Sequence, residues 1–68
     1  MTRAVDRDLE NLRQMVLRMG GLSEAILAKS WLAVQERSAD LCEEVQRDDL
    51  EIDRIDIGID EAVLRVLA

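Results

Sequence analysis

Met15-Val16-Leu17-Arg18-Met19-Gly20-Gly21-Leu22-Ser23-Glu24-Ala25-Ile26 decides the fold. Two adjacent glycines cost a helix about 2 kcal/mol relative to alanine, and glycine is also a common way to stop one. The apolar phase nevertheless runs across the pair without a reset, since Leu22 and Ile26 follow Met19 at helical spacing. A turn would shift that phase. The stretch therefore reads as the middle of one long helix, bent at most at the glycines, where a neighbouring helix could approach closely. Outward from it, Val5, Leu9, Leu12, Met15/Val16, Met19, Leu22, Ile26 and Ala33 keep the same period, giving a helix over about 3–36.

The next break falls at Gln35-Glu36-Arg37-Ser38, a polar run in which Ser38 is placed to cap Ala39-Asp40-Leu41. A basic residue closing the first helix and acids opening the second both suit the helix dipoles. From about 39 to 68 the apolar positions Val45, Ile52, Ile55, Ile59, Val63 and Val66 make one stripe, with Gly58 a weak point inside it. The expected fold is all-α, a long antiparallel helical hairpin forming a single unit over 1–68. Leu17, Leu27, Trp31, Leu32 and Val34 widen the first helix's apolar surface beyond what one partner covers. Val63-Leu64-Arg65-Val66-Leu67-Ala68 ends in mid-pattern, as a truncated chain or a fragment lacking its next helix would. Association of several chains into a helical bundle is expected, most simply a homo-oligomer.

Composition narrows the function. The 68 residues include no proline, phenylalanine, tyrosine or histidine and a single tryptophan. Residues 1–37 carry a charge balance of +1 and residues 38–68 one of -7. That second half repels nucleic acid and anionic lipid and attracts metal ions or basic surfaces. No apolar run approaches the roughly 20 residues needed to span a bilayer, so no membrane insertion is expected. One cysteine, Cys42, cannot form an internal disulfide, and no signal peptide is visible, which together suggest a cytoplasmic protein.

The chemistry-bearing pattern is Asp49, Asp53, Asp56 and Asp60, D-x-x-x-D-x-x-D-x-x-x-D. Steps of four, three and four put the carboxylates on one stripe of the second helix, at the edge of its apolar face. Like charges so spaced repel by about 0.2–0.5 kcal/mol per pair, and a bound cation is one way to offset that. Asp49 and Asp53, one turn apart, are the strongest pair for a hard or borderline metal. An isolated D-x-x-x-D is more often a solvated acidic face. An EF-hand is excluded because Arg54 stands where the loop needs glycine and Asp56 where it needs an apolar residue.

Catalysis has little support. Without histidine there is no Ser-His or Cys-His pair, and Ser23, Ser30 and Ser38 lack a visible base. Cys42 reads as a small, partly buried thiol and Trp31 as a core or interface anchor. Lys29 is the sole lysine and no phosphate loop surrounds it. The chain is not expected to be an enzyme or to bind nucleic acid.

Leu9-x-x-Leu12 leading into Met19-Gly20-Gly21-Leu22-Ser23-Glu24, then Leu41-x-x-x-Val45, Asp49-x-x-x-Asp53, Ile52-Asp53, Ile55-Asp56 and Glu61-Ala62-Val63-Leu64-Arg65-Val66-Leu67-Ala68 carry a resemblance. In this order and spacing they are similar to the N-terminal portion of the PhoU family of bacterial phosphate-uptake regulators, over nearly the whole chain. The resemblance implies a part of a three-helix bundle whose third helix is absent here, and an acidic metal motif matched by Asp49 and Asp53. Asp56 and Asp60 fall where the family is commonly acidic. It further implies iron or zinc as the metal, and the phosphate ABC transporter and a sensor histidine kinase as partners. The implied role is restraint of phosphate-starvation signalling. Gly58 departs from the family's helix-favouring residue, and without a facing acidic motif a metal has half its ligands. A purely structural, self-associating hairpin without metal is the alternative.

Overall fold

A computed structural model describes the backbone of residues 2–68 and the side chains of residues 4–68, so Met1 of the expected 1–68 unit lies outside the described residues. Two helices account for the fold: α1, Thr2–Glu36, and α2, Ala39–Leu67. They pack antiparallel into a rod of 53 × 14 × 12 Å. Helix α1 passes through Gly20 and Gly21 without interruption, as the unbroken apolar phase requires.

The two-residue connection is built from complementary end chemistry. Arg37 takes the left-handed conformation at φ 51°, the backbone reversal usually given to glycine just past a helix end. Ser38 N–H then donates to the Ala33 carbonyl at 3.1 Å, closing α1. Ser38 itself is extended, and its hydroxyl oxygen accepts from Leu41 N–H at 3.2 Å, so the same residue caps α2. Losing such a cap costs about 1 kcal/mol.

The seam between the helices uses Leu12, Met15, Met19, Leu22 and Ile26 from α1 against Leu41, Val45, Ile52, Ile55, Ile59 and Val66 from α2, all only half-buried. Among the described residues only Ala33 and Ala62 are fully buried, at 6% and 2% exposed. No large side chain is sealed from water, because two cylinders touch along a line and leave both flanks open. Ion pairs bridge one of those flanks: Arg18 to Glu51 at 3.2 Å, and Lys29 to Asp48 at 2.8 Å and Glu44 at 3.3 Å.

Several expectations are corrected by this packing. Val5, Leu9 and Val16 share the helical period but stay outside the seam, and Val63 lies at its exposed edge. Trp31 is 65% exposed and is no part of the core. Cys42 is exposed, not partly buried. Gly20 and Gly21 do not mark a close approach, since nothing would lie within 4 Å of a Cβ at either. The glycine that does meet the other helix is Gly58, where a Cβ would sit 3.6 Å from Met15 Cε.

Candidate acidic and apolar face

The flank opposite the ion pairs holds an open groove of about 290 Å³ near the turn. Ser30, Ala33 and Val34 of α1 line it together with Cys42, Val45 and Gln46 of α2. This groove fixes which residues share a face. A helix turns about 100° per residue, so steps of three and four stay on one line. Stepping along α2 from the groove residues Cys42 and Gln46 leads to Asp49, Asp53, Asp56 and Asp60, then Val63 and Leu67. Stepping back along α1 from Val34 leads to Trp31, Leu27, Ser23, Gly20 and Val16. The aspartate row of one helix and an apolar row of the other therefore flank the same side of the hairpin.

All four predicted aspartates are exposed, and none takes part in a hydrogen bond or ion pair among the described residues. Their neighbour Asp48 does find a partner, half-buried on the other flank with Lys29. That hydrogen bond is the chief cause holding the Lys29 ammonium above its ordinary pKa, with a further contribution from Glu44. Nothing within α2 signals this pair, because the two residues meet only across the seam.

On the hairpin alone the acidic row does not fit a resident metal. Among the described residues no three histidine, cysteine or acidic side chains converge on one point. Asp49 and Asp53 offer two carboxylates from one helix, whereas zinc takes four donors and hard cations six or more oxygens. Two of the hydroxyls have structural partners: Ser23 Oγ donates to the Met19 carbonyl at 2.9 Å and Ser38 caps α2.

The apolar row is the larger departure from an inert surface. Leu27, Trp31 and Val34 are 73%, 65% and 74% exposed. A separate stripe, Leu50, Ile57 and Leu64, repeats every seven residues along the back of α2 and is likewise exposed. The seven-residue spacing of that stripe is readable in the sequence; its separation from the seam is not. No helix among the described residues is long and apolar enough to cross a membrane.

The family model described as the PhoU domain matches residues 16–68. The chain is 36% identical over 61 residues to the phosphate-specific transport system accessory protein PhoU of Edwardsiella tarda, covering 90% of this chain and 25% of that one. The protein of the same name from Escherichia coli K12 is 33% identical over 61 residues, again covering 90% and 25%. A homolog from Zymomonas mobilis is 30% identical over 66 residues, 97% of this chain and 28% of its own length. The chain thus spans about a quarter of the length of these relatives. No solved structure matches it significantly.

Proposed function

Because the chain belongs to the PhoU family, we propose that it acts as a PhoU-like regulator of phosphate uptake and phosphate-starvation signalling. It works through protein–protein contacts and not through catalysis, in the cytoplasm. The observation that carries this reading is the family match across residues 16–68, which includes the whole of α2 and its acidic row. Relatives named as accessory proteins of a phosphate-specific transport system support the phosphate ABC transporter as a partner, and its sensor histidine kinase completes the proposed circuit. The direct test is complementation. In cells lacking their own PhoU, the chain should restore repression of a phosphate-starvation reporter in phosphate-rich medium; a reporter that stays on contradicts the role.

The hairpin is proposed as part of a PhoU-like three-helix bundle, self-associating through the Leu50, Ile57 and Leu64 stripe, whose seven-residue spacing suits a helix–helix seam. Asp49 and Asp53 are proposed to supply one helix's part of an iron or zinc site whose remaining ligands come from another helix, with Asp56 and Asp60 as secondary ligands. The paired substitution Asp49→Asn and Asp53→Asn should abolish any rise in melting temperature caused by added zinc or iron. Under the second reading, a structural hairpin without metal, the same pair leaves stability unchanged or slightly higher in every condition, because only repulsion is removed.

A further inference from the structure

We draw no further inference here: the strongest candidate, the exposed Leu50, Ile57 and Leu64 stripe along the back of α2, already carries the self-association proposed above, and nothing in the structure shows what else covers it.

Discussion

Lys29 ties the two helices together with a single ammonium group shared between Asp48 and Glu44. Its pKa is raised in the folded chain, chiefly by the hydrogen bond to Asp48. A raised lysine pKa adds stability that is fully present below the unfolded value of about 10.4 and is lost as pH climbs through the folded value. Lys29→Met should therefore lower the melting temperature at neutral pH, and as the pH is raised its difference from the parent chain should shrink only above about pH 10.4. A difference that has already vanished at pH 8 would contradict the assignment. Arg37 makes the opposite kind of contribution, because a side chain at φ 51° is disfavoured by about 1–2 kcal/mol and glycine is not. Arg37→Gly should raise stability by about 1 kcal/mol in chemical denaturation. Ala62, 2% exposed, has no room for growth. Ala62→Leu should cost about 1–3 kcal/mol by forcing the helices apart.

At the scale of the element, α1 is longer than its composition comfortably supports, with 35 residues and two adjacent glycines in open space. Alanine at Gly20 or Gly21 meets no neighbour, so each substitution should stabilise the helix by up to about 1 kcal/mol. A loss of stability would mean that something occupies that surface. Much of this element was legible in the sequence. The unbroken phase from Met19 to Ile26 carried the helix through the glycines, and Ser38 announced the start of α2. The rotation of each helix about its own axis was not legible. Each carries more than one apolar stripe, and periodicity alone ranks Val5 and Leu9 equally with Leu12 and Met15. Only the contact between the helices separates them. For the same reason Asp49, Asp53, Asp56 and Asp60 could be placed on one line, but their lack of partners among the described residues and their position beside Leu27, Trp31 and Val34 required the fold. Arg37 gave no warning either, since the left-handed turn normally advertises itself with glycine or asparagine.

The whole molecule is a rod whose two flanks differ in kind. One is closed by the Arg18 and Lys29 ion pairs; the other leaves exposed leucine, valine and tryptophan beside aspartates that have no ion-pair partner among the described residues. A 68-residue chain with two fully buried alanines among its described residues has little core of its own. Contact with another helical surface is the physical route to the missing burial, and it agrees with membership of the PhoU family, of whose relatives the match covers about a quarter. The central claim is that this hairpin is completed by association. Native mass spectrometry of the purified chain, with and without added iron, zinc or manganese, tests it most directly. The account predicts a dimer or higher oligomer, with whole-number metal retained only in the assembled species. A lone monomer at every concentration, unchanged by metal, would contradict it.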